Sequence, residues 1–147
     1  MKITKAVISD IPELCDLLDV LFTQETEFKA DRNKQTRGLA AVIENPETGE
    51  ILVARDSDRV IGMVSLLYTV STAMGGRVAI MEDMVVSPNA RGFGVGSRLL
   101  DYALKYAEEK GCKRITLLTD DDNTKSHGFY QRHGFFRSQM IVFRRML

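Results

Sequence analysis

The sequence predicts an α/β fold of the α+β kind: one central mixed, mostly antiparallel sheet with helices on both faces. Three observations predict it. Apolar, β-branched runs at 51–55, 60–70 and 78–86 follow one another through short polar turns, the mark of an antiparallel meander. A long amphipathic helical stretch then separates 78–86 from a further strand, Arg114 to Thr119, and such a crossover places those two strands parallel. The full order, β-α-α-β-β-β-α-β-α-β, excludes a purely parallel doubly wound sheet.

Each element has its own signal. Lys2 to Ile8 alternates, with Ile3, Lys5 and Val7 on one face and Ala6 and Ile8 on the other, as a strand does. Ser9 to Glu13 starts a helix, with Asp10 as its cap and Glu13 in capping-box position. Ile11, Leu14, Cys15, Leu18, Leu21 and Phe22 form its buried stripe. Residues 23–31 are polar, and Asp31 caps a second helix that runs to about Ile43 and stops before Asn45-Pro46. Asp56-Ser57-Asp58-Arg59 joins the first two strands of the meander, and Met74-Gly75-Gly76 lies in its second turn. A helix over 94–110 ends at Gly111, which is expected to be a left-handed C-cap. A short helix over roughly Lys125–His133 stops at Gly134, and Phe135-Phe136 and Met140 to Arg144 are the last strand pieces.

Composition sets outer bounds. A chain of 147 residues is expected to form one domain over 1–147. Such a length buries about 68–70% of its unfolded surface and needs no staples. Twenty basic and 20 acidic side chains balance to a net charge of zero, which argues against a nucleic-acid footprint. Cys15 and Cys112 have neither metal-ligand nor redox spacing, and Cys15 reads as a small core residue. Asp120-Asp121-Asp122 cannot all point inward, so they read as a solvated loop, and no metal is expected. Neither a leader pattern nor a membrane-length apolar run appears, so the expectation is a cytoplasmic protein with no membrane partner.

The stretch that organises the chain is Met84 to Leu100. Met84-Val85-Val86 ends a buried strand, and Ser87-Pro88-Asn89 breaks it. Arg91-Gly92-Phe93-Gly94-Val95-Gly96-Ser97 then turns directly into the amphipathic helix. The first N–H groups of a helix have no internal partner, and the helix dipole makes that end positive. Glycines bare those N–H groups, so a phosphate or pyrophosphate is expected on 91–97, with Arg91 adding a full charge. A P-loop would need Lys then Ser or Thr after the last glycine, but Ser97-Arg98 follows Gly96. A dinucleotide fingerprint would need its third glycine one place later than Gly96. The pattern Arg-x-x-Gly-x-Gly, met by Arg91, Gly94 and Gly96, resembles the coenzyme A turn of the GNAT acyltransferase superfamily. The order of elements resembles that topology over nearly the whole chain.

A second constellation follows. Asn123, Ser126 and Tyr130 share one helical face, and Gly134-Phe135 comes after them. The GNAT family has an Asn, a small residue, a Tyr and a Gly-Phe at these separations; its usual small residue is Ala, and Ser126 departs from that. The resemblance implies that Asn123 and Ser126 contact the pantetheine or phosphate region of acetyl-CoA and that the Tyr130 hydroxyl points at the thioester sulfur. It also implies that the pantetheine pairs with the strand edge at Met84 to Val86, with a backbone N–H there, that of Met84, as oxyanion donor. His127 and His133 match no family position and read as surface histidines.

The implied reaction is acetyl transfer from acetyl-CoA to a primary amine. An ammonium of pKa near 10.4 is roughly one part in 2,500 free base at pH 7, so a base is needed. Glu82, two residues before Met84, is expected on the same side as Met84 and is the candidate base or amine attractor, while Asp83 points away unless a bulge intervenes. The acceptor, a small-molecule or a protein amine, is expected in a pocket shaped by 23–35 and 71–77, where Glu25, Glu27 and Asp31 stand against Lys29, Arg32 and Arg77. A non-catalytic coenzyme A-binding or interaction module is the alternative. The apolar run at 140–143 leaves homodimer formation open beside an ordinary core strand.

Overall fold

The computed structural model describes residues 1–24 and 29–147. A single sheet runs in the order β1 (Lys2–Lys5), β2 (Gly49–Asp56), β3 (Arg59–Ser71), β4 (Gly76–Val86), β5 (Ile115–Leu117). Its neighbours are antiparallel except β4 and β5, which are parallel. Helices α1 (Ile11–Gln24) and α2 (Arg32–Ile43) cover one face. Helix α3 (Val95–Glu109), the crossover between β4 and β5, covers the other, with α4 (Thr124–Arg132) beside it. The mixed sheet with helices on both faces is therefore as the pattern of apolar runs predicts.

Alternation on β2 shows why the sheet needs both layers. Ile51 and Val53 pack against Leu14, Cys15, Leu18 and Leu39 of α1 and α2. Leu52 and Ala54 pack against Leu99, Leu100 and Ala103 of α3. A strand buried on both sides reads as a continuous apolar run. Asp31 caps α2 by accepting the N–H groups of Asn33 (3.1 Å) and Lys34 (3.2 Å). Gly111 follows α3 at φ +84°, the left-handed stop its position predicts.

Four sequence expectations are corrected. β1 stops at Lys5, because Val7 donates its N–H to Asp10 Oδ2 (2.8 Å) and the chain turns through Ile8–Asp10. Asp10 and Glu13 do not form a capping box: Asp10 takes both guanidinium nitrogens of Arg55 (2.8 and 2.6 Å), and Glu13 accepts the Val60 N–H (2.9 Å). Both carboxylates thus tie the start of α1 to the β2–β3 hairpin. Phe135-Phe136 and Met140 to Arg144 form no strand, and β5 covers only Ile115–Leu117. A strand needs a neighbour to hold it, and among the described residues the outer edge of β5 has none.

A second carboxylate acts as a hub. Glu50, buried on β2, accepts from the hydroxyls of Tyr68 (2.5 Å) and Tyr106 (2.7 Å) and pairs with Lys5 (3.2 Å). Burial pushes its carboxyl up, but these three donors more than offset that and hold it below the usual range. One group thereby links β1, β2, β3 and α3.

The Asp10–Arg55 pair is the sharpest stability test. Arg55 holds the Asp10 carboxyl below its ordinary range against the opposing effect of burial. Arg55→Ala leaves a buried carboxylate unpaired and is expected to cost roughly 2–3 kcal/mol near neutral pH, less than the ~3–5 of a fully buried pair, because Arg55 keeps some solvent. A lowered carboxyl pKa gives stability that is present above the ordinary value and lost as pH falls through the folded one. Thermal unfolding should therefore show the deficit of Arg55→Ala shrinking once pH drops below about 3.9.

Candidate active site

Pairing between β4 and β5 lasts for only three residues, Ala79 with Ile115, Ile80 with Thr116 and Met81 with Leu117. From Glu82 to Val86 that edge of β4 meets no strand among the described residues. The sheet is open there, and backbone N–H and C=O groups line the opening.

The open edge leads into the glycine turn. After the turn at Pro88–Ala90, Arg91 places its Nε 3.2 Å from the Val86 carbonyl oxygen and donates to it. Gly92 (φ +85°) and Gly94 (φ +78°) are both left-handed, and a Cβ at either would meet open space. The first helical bond of α3 runs from the Arg98 N–H to the Gly94 carbonyl (3.1 Å). The N–H groups of Val95, Gly96 and Ser97 therefore have no partner within the helix, as an anion at a helix N-terminus requires. Gly96 differs: a Cβ there would lie 3.6 Å from the Phe129 ring and 3.7 Å from Val86, in ordinary van der Waals contact, so packing against α4 does not itself demand a glycine. Phe93, at the apex, is 79% exposed.

Helix α4 brings the second constellation to this end. The Asn123 side chain caps it by accepting the Ser126 N–H (3.2 Å). Tyr130 stands edge-on to Phe129 (5.3 Å between ring centres) and Phe135 (5.7 Å), in one cluster with Met84 and Val86. Burial pushes the Tyr130 phenol up to about 12, with no hydrogen bond contributing. The histidines are not surface groups. His133 joins the helices, with Nδ1 2.8 Å from Asp101 and Nε2 3.2 Å from the Ser97 hydroxyl, and its side chain is only 12% exposed. His127 Nε2 donates to the Asp120 carbonyl (2.8 Å).

Glu82 lies on the other face. The β3–β4 register shifts between Met63 and Ser65, and Asp83 adopts φ +53° there. This bulge turns Asp83 to the side of Glu82, and both line a cavity of about 350 Å³ between the sheet and α1 and α2. Met84 packs towards α3 instead. The expectation that Glu82 and Met84 share a side is thus wrong: the extra residue of the bulge breaks the alternation. The cavity wall is mostly apolar, from Leu18, Phe22, Leu39 and Leu67, with Ser65, Lys29 and Lys34 also on it.

Two expected contributors are elsewhere. Arg32 is held by Asp16 (2.9 Å) and Asp19 (3.0 Å), and Arg77 lies over the Tyr68 ring at 4.7 Å. Residues 71–77 form the far hairpin end and do not reach the cavity. Asp31 lines it; Glu25 and Glu27 lie outside the described residues. Asp83 and Ser65 are the additions, and the possibility of a bulge was the one sequence signal for Asp83. Among the described residues no group of His, Cys, Asp and Glu could hold a metal, and no helix is long and apolar enough to cross a membrane.

Comparison with known proteins bears on the family and the fold. Residues 11–135 match the acetyltransferase (GNAT) family. An uncharacterized N-acetyltransferase of Bacillus subtilis, YhfO, is 35% identical over 92% of this chain and 89% of its own. The aminoalkylphosphonate N-acetyltransferase of Salmonella typhimurium is 28% identical over 93% of this chain and 86% of its own. A Clostridium acetobutylicum structure described as a predicted acetyltransferase with acetyl-CoA superposes with a TM-score of 0.81 at 18% identity, over 98% of this chain and 95% of that one, which bears on the fold. The chain belongs to the GNAT acetyltransferase family and is an acetyl-CoA-dependent N-acetyltransferase.

Proposed function

We propose that residues 1–147 act as one domain that moves an acetyl group from acetyl-CoA to a primary amine by direct attack on the thioester. The observation that carries this is the continuity of the open β4 edge, Glu82 to Val86, with three unpartnered helix N–H groups at Val95, Gly96 and Ser97. An extended diamide arm fits the first and a diphosphate the second. Arg91, Gly92, Phe93 and Gly94 flank the diphosphate, and Asn123 and Ser126 border the arm from α4.

The amine enters from the opposite cavity. Its neutral nitrogen bonds to the thioester carbon, the N–H of Met84 or Val85 at the bulge steadies the oxyanion, and the C–S bond breaks, the second proton of the nitrogen going to the departing sulfur so that an amide and the free coenzyme A thiol result. The proton lost by the ammonium passes to Glu82 or to its neighbour Asp83. Tyr130 keeps its proton at neutral pH, and with a pKa of about 12 it is a weaker acid than a thiol of pKa near 8.5. It therefore serves the departing sulfur as a hydrogen-bond donor more than as a full acid. A cavity of about 350 Å³ suits a small-molecule amine, which is the acceptor class we assign. Both cysteines are free thiols, which fits the reducing cytoplasm we assign to the protein.

Three measurements test the assignments. Tyr130→Phe should lower kcat by about 10²-fold or less and leave coenzyme A affinity unchanged by calorimetry; an unaltered kcat with chemistry rate-limiting removes Tyr130 from the reaction. Gly94→Val forces a branched side chain to a left-handed φ and should weaken coenzyme A binding at least tenfold; equal affinity in the folded variant rejects the turn as the diphosphate site. Glu82→Gln should lose turnover near neutral pH and regain part of it as pH approaches the amine's own pKa near 10.4. A raised KM without that recovery makes Glu82 an amine attractor instead.

A further inference from the structure

The cavity between the sheet and helices α1 and α2 carries opposite charge on its two walls. Glu82 and Asp83 belong to the sheet wall, on β4. Lys29 and Lys34 belong to the helix wall, Lys29 in the approach to α2 and Lys34 in its first turn. The remaining wall is largely apolar, from Leu18, Leu39 and Leu67. Both lysines are exposed, and neither forms an ion pair with a described residue. Arg32, between them in sequence, is taken by Asp16 and Asp19. Asp31, the acid beside them, is committed to the α2 cap, where its Oδ1 accepts the N–H groups of Asn33 and Lys34. The two ammonium groups are thus left to a ligand.

Gly38 is an independent observation. It sits in the interior of α2, where glycine weakens a helix relative to alanine. Packing does not call for it, since a Cβ built there meets nothing within 4 Å. Lys34, Gly38 and Val42 are four residues apart, share one helix face and all line the cavity. A side chain at 38 would occupy space beside Lys34 that the glycine leaves open.

We propose that the acceptor is a short aliphatic amine with an anionic group, carboxylate or phosphate, at its far end. Its ammonium meets Glu82 at the sheet, its chain lies along the apolar wall and over Gly38, and its anion meets Lys29 and Lys34. This rests on the reading of the cavity as the acceptor side. A molecule of that kind matches the charges of both walls. A plain alkylamine leaves the lysines without a partner, and a diamine sets a second ammonium against them. Because the lysines are exposed, each contributes a few-fold in affinity and not orders of magnitude.

Two readouts separate failure of this assignment from failure of the reaction. Calorimetry on the coenzyme A complex measures acceptor binding without turnover, and thiol release from acetyl-CoA measures turnover. The probes are γ-aminobutyrate and phosphoethanolamine, against butylamine and putrescine. One anionic-tailed amine should bind about fivefold or more tighter than butylamine, and putrescine weaker than either; which of the two anionic probes leads identifies the anion. Lys34→Gln should cut that preference about threefold, whereas Lys105→Gln, an equal charge change at an exposed site on α3, should leave it in place. Gly38→Leu should raise the thermal midpoint, because a better helix former replaces glycine, and yet weaken the anionic-tailed amine about fivefold or more. Preferential binding without thiol release upholds the anion subsite and sinks the reaction. Thiol release that favours butylamine or putrescine upholds the reaction and overturns the subsite. Equal binding of all four amines, binding of none, a preference untouched by Lys34→Gln, or a Gly38→Leu chain that binds as before also overturns it.

Discussion

Pairing between β4 and β5 ends at Met81, and the chemistry we propose for this molecule depends on that separation. Two parallel strands that stayed paired would bury the backbone of Glu82 to Val86 in a ladder. Because they part, a stretch of main chain on β4 keeps its donors and acceptors on the side away from β3. Helix α3 begins where the stretch ends, so unpartnered strand groups are continued by unpartnered helix groups. The family's acyl donor has the same two parts in the same order: an extended amide arm and a diphosphate.

The bulge at Asp83 divides the labour between the faces. On the α3 side, Met84, Val86, Phe129 and Tyr130 form the half-buried wall of the proposed donor slot. On the α1–α2 side, Glu82, Asp83 and Ser65 stand at the end of an apolar cavity. A regular strand would have placed alternate residues on alternate faces, giving one carboxylate to each. With the extra residue, both carboxylates face the proposed acceptor side, and the backbone of the bulge lies between the two compartments.

Much of this was readable from one sequence, for physical reasons. The meander and the crossover show in apolar periodicity, because each of those strands and helices buries a face locally. The turn at Arg91 to Ser97 shows because left-handed backbone at 92 and 94 demands glycine. The start of α1 was misread because the partner of Asp10 is Arg55, forty-five residues away, and a distant ion pair outcompeted the local box. The side of Asp83 was not readable, since a bulge leaves no mark in composition. His133 was placed at the surface because nothing local to it announces Ser97 and Asp101. The strand expected at Met140 to Arg144 does not form, because apolar periodicity marks which residues would suit a strand and carries no information about whether a neighbouring edge is there to pair with them.

Gly96 carries one more consequence. With the Phe129 ring directly over it and His133 bonded to Ser97 one residue on, the turn and α4 are in van der Waals and hydrogen-bonded register. Close-packed surfaces of this kind transmit displacement and do not absorb it. The turn and the helix that holds Tyr130 are therefore built as one packed unit, and the two walls of the proposed slot keep a fixed spacing.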